Sequence, residues 1–585
     1  MKNRSRRGAE RALLTLTTVL LLIGAAGAAW IAVRGAMAYQ HLDAARDVLV
    51  GVGSSDNDPT VWADDLAAAR DDMAAARALT SDPVWAAAGS LPWAGPQLTA
   101  IAELAGAADG ALAALEPVGA AASALSSGSL RTSDGGYDVE LLASWEPAAD
   151  RATVALTDAT SRLSAVELRD VLPALADQVT RAHELFARAR ADADALHRTT
   201  RLLPAMLGAD GPRSYLVLFQ NSAEWRSLGG VVGAVAQLNT DQGRITLTAQ
   251  ASSTDFRDAG GEPVADVPEG LRPLFDERPA RYVQNVTQLP DFAAGAPLAR
   301  EMWRQQHGTE VDGVIAVDPV ALSYLLTTTG PVSLPSGDVL TSENTVPLLL
   351  DEVYRRYSDP KQQDAFFQSA TSAVFGALAA GDLEPRALVE ALDRSGRERR
   401  LLVWSADSQE QAVLDGSTLQ GGLPGSGDGA TTLGVYVNDG TGSKMDYYMR
   451  LGTATTWCSD GTAMLRVTLR NDAPDPATLP EYVTGGGAYG VPPGHTLTGV
   501  YVYLPTGALL QDNTVTGDAD PSGFVRAQDR GHEVLKWSVR VAPGESATLD
   551  LTVATPRTPR LETVTTPMLP AVAAATEAPS CADAG

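Results

Sequence analysis

Hydrophobic and polar positions divide the chain into stretches of different period. From Ala12 to Val33 there is no charged side chain, and apolar residues fall on every helical face: Leu13, Leu14, Leu16, Val19, Leu20, Leu21, Leu22, Ile23, Trp30 and Ile31. A helix that is apolar all round is buried in protein or in lipid. At about 1.5 Å per residue the segment reaches roughly 33 Å, against a hydrocarbon core of about 30 Å. Lys2, Arg4, Arg6, Arg7 and Arg11 precede it. The positive-inside bias then makes residues 1–11 a cytoplasmic basic terminus, residues 12–33 a transmembrane helix, and everything beyond Arg34 extracytoplasmic. The small residues Gly24 to Ala29 imitate a signal-cleavage site, but apolar character resumes at Trp30, Ile31 and Val33, which favours a retained anchor.

Residues 34–200 are rich in Ala, Leu, Asp and Arg with helical spacing. Trp62, Leu66, Ala69, Met73 and Ala76 fall on one face, as do Leu168, Leu172, Leu175, Val179, Ala182 and Phe186. Breaks at Asp56–Pro59, Leu91–Pro96 and Ser126–Gly136 predict several packed helices. From residue 201 to 433 the period alternates. Ser214–Phe219, Gly229–Leu238, Ile245–Ala249 and Val314–Val317 read as strands, and Pro297–Gln306, Val346–Tyr357 and Gln363–Leu378 as helices, an α/β domain on a mixed sheet. Residues 434–554 bring strand after strand, at Gly434–Val437, Tyr447–Leu451, Met464–Leu469, Leu497–Leu504, Val534–Val541 and Ala547–Ala554, the pattern of a β-sandwich. Residues 555–585, rich in Pro, Thr and Ala, read as an extended tail. The fold class is thus multidomain α+β with an N-terminal transmembrane helix.

Composition narrows the function. The 585 residues carry a formal charge of −26, from 71 acidic and 45 basic side chains. A nucleic-acid partner is excluded, because reading phosphates requires clustered Lys and Arg. No His-Glu-x-x-His, Gly-x-Ser-x-Gly or Gly-Lys-Ser/Thr phosphate-loop motif is present, and no metal site is expected from the sequence itself. Asn285-Val286-Thr287 matches a glycosylation acceptor only formally. Cys458 and Cys581 are the only cysteines, so an exported chain has a single intramolecular disulfide open to it.

The residues Gly208 to Asn221, continuing through Glu224, Trp225 and Arg226 to Gly229-Gly230, resemble the domain of unknown function 4012 family of envelope-associated bacterial proteins. The resemblance recurs at Asp82-Pro83-Val84-Trp85 with Leu91-Pro92-Trp93, at Val311 to Pro319, and at Asn438-Asp439 through Gly442 to Tyr448. The central domain is also similar, more distantly, to the LytR-CpsA-Psr family, whose members are single-span, outward-facing enzymes that transfer polyprenyl-pyrophosphate-linked glycopolymers to peptidoglycan. That resemblance implies a pyrophosphate held by arginines, Mg2+ held by an acid, and cell-wall glycopolymer or polyprenyl pyrophosphate as partner. Ser253-Thr254-Asp255 stands where its Arg-Asp pair would be, and Lys361-Gln362-Gln363 lacks the matching Arg.

Asn221, Glu224 and Arg226 follow a buried strand and precede a glycine pair, where a loop can present amides and a guanidinium fork to an anion. The same residues also suit an internal Glu224–Arg226 ion pair with Asn221 bonding its own turn. Arg355, Arg356, Asp359 and Asp364 are candidates for a second half of the site, or for a solvated helix end. Two functions remain open: an envelope protein that binds or transfers a lipid-linked glycopolymer, and a non-catalytic envelope scaffold.

Overall fold

The computed structural model describes residues 24–44, 59–127, 130–133, 135–256, 262–380, 383, 385–425, 429–517, 520–569 and 576–581. The chain divides into two compact units, one comprising residues 1–132 and 138–205, the other 133–137 and 206–585.

The first unit is helical. Its long helices are α1 (residues 24–44), α2 (Pro59–Thr80), α3 (Gly95–Ser127), α4 (Glu146–Ser164) and α5 (Pro173–Met206). Alanine fills much of the interior: Ala69, Ala100, Ala107, Ala111 and Ala152 are buried among Met73, Leu104, Leu112, Leu156 and Leu163. Such small side chains keep helix propensity high and let helices approach closely. α1 runs antiparallel to α2, with Arg34 Nε donating to the Leu79 carbonyl at 2.8 Å and His41 Nδ1 2.7 Å from Asp72 Oδ1. The expected anchor lies outside the described residues from 12 to 23; residues 24–33 are helical. Among the described residues one helix is long and apolar enough to cross a membrane, Gly95–Gly119 within α3, with a mean hydropathy of 1.4. Forty-four per cent of that window is buried, through side chains such as Ala100, Leu104 and Leu112, as in a core helix.

One predicted helical face is shorter than its spacing suggested. α5 begins at Pro173, so Leu168 lies in a 3-10 turn and Leu172 in the link before the helix, at 37% and 63% exposure. Proline fits the first turn and disfavours helical backbone in the residue before it. Val179 and Phe186 are buried as expected.

In the second unit β1 (Arg213–Asn221), β2 (Val231–Asp241), β3 (Arg244–Ser252), β4 (Gly313–Val317) and β7 (Leu401–Ser405) form a mixed sheet in the order β3-β2-β1-β4-β7. β1 pairs in parallel only with β4, and the other pairs are antiparallel. On one face Leu216 and Leu218 pack against α6 (Phe292–His307). On the other, Phe219 meets Phe375 of α8 (Pro360–Ala380), near α7 (Pro319–Thr329). The predicted helix 346–357 is broken by a π turn at Leu348–Glu352. β5 (Val332–Ser333) and β6 (Val339–Leu340) make a separate two-stranded hairpin.

Two further sheets follow: β9 (Met449–Trp457), β10 (Ala463–Asn471), β12 (Leu509–Gly517) and β15 (Ser546–Ala554) in the order β12-β15-β10-β9, and β8 (Ala430–Asp439), β11 (Thr496–Tyr503), β13 (Asp520–Asp529), β14 (His532–Val541) and β16 (Arg560–Thr565) in the order β13-β14-β11-β8-β16. Their inner faces share one core that includes Leu465, Val467, Val500, Val502, Trp537 and Leu551. Two expectations are corrected here. The segment read as a tail supplies β16 (Arg560–Thr565), parallel to β8 (Ala430–Asp439), because Leu561 and Val564 carry an edge strand that composition alone did not reveal. The α/β and two-sheet bodies, separated at 433/434 in the sequence reading, cluster as one unit. Trp225, from the loop after β1, is buried within the core of the two-sheet body.

Candidate functional site

The loop after β1 is built from its own polar residues. Asn221 Oδ1 accepts the Ala223 N–H at 3.0 Å, and the Asn221 carbonyl accepts the Glu224 N–H, which turns the chain away from the sheet. Gly229, at φ +131°, and Gly230 bring it back to β2. A Cβ on Gly230 would stand 2.4 Å from the Asn221 carbonyl carbon, so only glycine allows the two ends of the loop to touch.

Glu224, Arg226 and Lys444 meet in the interior of this unit. Arg226 Nη2 donates to Glu224 Oε1 at 2.8 Å, and Lys444 Nζ donates to Glu224 Oε2 at 2.5 Å. Arg226 Nη1 donates to the Trp225 carbonyl at 2.8 Å and its Nε to Asn285 Oδ1 at 3.1 Å. Lys444 Nζ lies 5.5 Å from the Tyr482 ring centroid and 6.0 Å from that of Tyr354. Burial alone would raise the Glu224 carboxyl, but the charges and hydrogen bonds of Lys444 and Arg226 outweigh it and hold the group below its usual value. Burial would lower the Lys444 ammonium, and Glu224 raises it above its ordinary value.

Two further buried acids complete the cluster. Asp446 Oδ2 accepts the Trp225 N–H at 2.6 Å, and Asp439 accepts from the Thr441 N–H at 3.0 Å and the Gly442 N–H at 2.6 Å. Burial, reinforced by the charge of Glu224, pushes the Asp439 carboxyl up to about 6. Burial and the nearby Asp439 raise the Asp446 carboxyl well above its ordinary value. Asn438 exchanges two hydrogen bonds with Ser227.

The other candidates bond to residues outside these five side chains. Arg355 Nε lies 2.9 Å from Asp351 Oδ2 while its Nη2 donates to the Tyr448 hydroxyl, and Arg356 Nη1 lies 2.7 Å from Asp338 Oδ1. Asp359 caps the start of α8 by accepting the Lys361 N–H at 3.0 Å. Asp364 is partly buried near Ser252 and Asp255; burial raises its carboxyl and a hydrogen bond from Ser252 opposes the rise. Asn221 Nδ2 donates to the Tyr354 hydroxyl. Asn285 and Thr287 of the formal glycosylation match are turned inward, Thr287 donating to the Gly230 carbonyl at 2.8 Å. Cys458 and Cys581 form a disulfide, with Cα atoms 5.6 Å apart. Among the described residues no group of three or more His, Cys, Asp or Glu side chains is arranged to hold a metal ion.

Lys444, Asp439, Asp446 and Asn438 were absent from the candidates although they lie within or beside the motif at 438–448. Their residue types were visible, but their partner loop lies more than 200 positions away, which no local pattern encodes. Beside Asn221, a cavity of about 70 Å3 opens between the sheet and α7 and α8, lined by apolar side chains including Phe219, Leu322, Leu349, Phe367 and Val374.

No curated protein and no solved structure matches the chain. The segments around 82–93 and 438–448 lie outside the residues matched by a family model. Residues 210–354, which run from just before β1 to Tyr354 and include Asn221, Glu224 and Arg226, match the family described as protein of unknown function (DUF4012).

Proposed function

We propose that this is a single-pass, outward-facing protein of the bacterial cell envelope that acts by binding partners and does not transfer glycopolymer. The anchor reading rests on the uncharged run from Ala12 to Val33 and the basic residues before it. The non-catalytic reading rests on the state of Arg226. An arginine that holds pyrophosphate must offer paired donors to the ligand. The Arg226 side chain is only 8% exposed, and its Nε, Nη1 and Nη2 already donate to Asn285, Trp225 and Glu224. Arg355 and Arg356 are paired with Asp351 and Asp338. The charged residues therefore support an internal joint between the α/β body and the two-sheet body, which we read as a β-sandwich.

The test is a transfer assay with the full chain, lipid-linked glycopolymer, Mg2+ and peptidoglycan. No transfer is expected. Magnesium-dependent transfer that disappears in a folded Arg226→Ala variant would overturn the reading.

The apolar cavity beside Asn221 favours a second reading, in which the protein binds the isoprenoid chain of such a lipid without processing its headgroup. This keeps the partner class implied by the resemblance to the LytR-CpsA-Psr family. Calorimetry with a short polyprenyl phosphate should then give binding that Val374→Trp, which fills the cavity, removes and Arg226→Lys leaves unchanged.

A further inference from the structure

At one end of the helical unit the loops expose large apolar side chains together. Between α2 and α3, Val84, Leu91 and Trp93 are 46%, 49% and 82% exposed. Between α4 and α5, Leu168 and Leu172 are 37% and 63% exposed. The two loops touch through Gln97, whose Nε2 donates to the Asp170 carbonyl at 2.7 Å and whose Oε1 accepts the Leu172 N–H at 2.9 Å. Packing within the unit leaves these side chains uncovered, although its interior is otherwise closed by alanine and leucine. A contiguous exposed apolar surface on an otherwise solvated protein marks a contact with another apolar phase.

The position of α1 identifies that phase. Its lower half packs on α2, and the last residue before the packed part is Val33, where the uncharged run from Ala12 ends. Arg34 is the first charge after that run, and it is fixed at the same end of the unit as the exposed loops. Its Nε lies 3.2 Å from Asp82 Oδ2, and Asp82 in turn caps the short helix Pro83–Ala88 through the Val84 N–H at 2.8 Å. A Cβ on Gly35 would meet the Trp85 ring at 3.5 Å. Residues 24–33 continue as helix past this point, with Trp30 and Val33 51% and 59% exposed. If the apolar run spans the bilayer, Arg34 stands at the membrane–water boundary and the two loops stand beside it.

We infer that the loops at 84–93 and 168–172 rest in the outer interface of the bilayer, with Trp93, Leu91 and Leu172 inserted among the lipid headgroups. Tryptophan is favoured at that depth because its ring is apolar and its N–H remains close to water. Glu167, Arg169 and Asp170 flank the second loop and are exposed, keeping it at the interface and out of the hydrocarbon. The contact holds the helical unit against the membrane and fixes its tilt, where a lone anchor helix would leave it free to swing. This inference rests on the anchor reading above.

The experiment uses the full chain in vesicles of phosphatidylcholine and phosphatidylglycerol, with a nitroxide attached in turn to Trp93→Cys, Leu172→Cys, Trp30→Cys and, as a water-facing control, Val154→Cys. The ratio of collision rates with oxygen and with a water-soluble nickel chelate reports depth. Labels at 93 and 172 are expected to give a ratio several-fold above that at 154. Ratios at 93 and 172 equal to that at 154, with the label at 30 still in lipid, would overturn the loop contact and leave the anchor standing. A water-like label at 30 would overturn both. Low accessibility to both reagents at 93 and 172 would mean that protein covers the loops, which also overturns the inference.

Discussion

Lys444 Nζ donates to Glu224 Oε2 across 2.5 Å, joining two buried residues 220 positions apart in sequence. With Arg226 on its other oxygen, Glu224 balances two cations, and all three side chains are buried. Removing its charge takes from both cations the carboxylate that they share, and breaking a buried pair in this way costs about 3–5 kcal/mol. Glu224→Gln is therefore expected to lower the unfolding free energy of the second unit by that amount, read as a lower denaturant midpoint at constant m-value. Lys444→Met, which leaves Arg226 on Glu224, is expected to cost less. A Glu224→Gln change below about 1 kcal/mol would mean that the cluster is more hydrated than its burial indicates.

The acids around the same cluster act in opposite directions with pH. The Asp439 carboxyl titrates at about 6 when folded against 3.8 when free, so the folded chain holds that proton more tightly. Its stabilising contribution is complete below 3.8 and is lost as pH rises through about 6. Asp446 is shifted the same way. Glu224, lowered in the fold, contributes above the usual carboxylate range and loses that contribution as pH falls through its folded value. Asp446→Asn keeps an amide oxygen to accept the Trp225 N–H and removes one of two neighbouring acids. The melting temperature of the variant relative to wild type should rise from pH 4 to pH 8. A difference that is flat across this range would exclude the Asp446 charge as the cause.

Elements were legible in the sequence where one face of a strand or helix is consistently apolar. Leu216 and Leu218 revealed β1, and Leu66, Met73 and Ala76 revealed the inward face of α2. β12 (Leu509–Gly517) was missed because it has no consistently buried side, and Leu509 itself is 65% exposed. β13 (Asp520–Asp529) carries Pro521 and Gly523, residue types that weaken a strand pattern. Arg226 was visible as a residue able to bind phosphate, but whether its donors face a ligand or the protein depends on Asn285 and Lys444, which only tertiary structure brings near. Leu168 and Leu172 have the right spacing for a buried face and lack only a helix to carry it.

Cys458 is buried, and its bond to Cys581 closes a separation of 123 residues. In the chain-entropy account a loop of this length stabilises by about 4–5 kcal/mol, less whatever order the last residues lose on release. The Cys458→Ser, Cys581→Ser double variant is expected to melt several degrees below the oxidised protein. Reduced wild type should match the variant. If reduction leaves the melting temperature unchanged, the bridge secures only the end of the chain and does not support the sheets.

Thr566 binds two distant segments with one hydroxyl. Its Oγ1 donates to the Ser227 carbonyl at 3.0 Å and accepts the Val437 N–H at 3.0 Å, and the residue is fully buried. It therefore holds the end of β16 against β8 and against the loop that carries Arg226. Valine has nearly the same shape but neither donor nor acceptor, so Thr566→Val should leave a buried N–H and a buried carbonyl unsatisfied. The expected loss is about 1–3 kcal/mol. Thr563→Val is the control, since Thr563 shares a partly exposed hydroxyl contact with Thr453 at 3.1 Å and water can replace it. Amide exchange at Val437 gives a local reading of the same change. Faster exchange there in Thr566→Val, with β10 amides protected as in wild type, is the expected result, whereas uniform acceleration would show that the hydroxyl supports the whole unit.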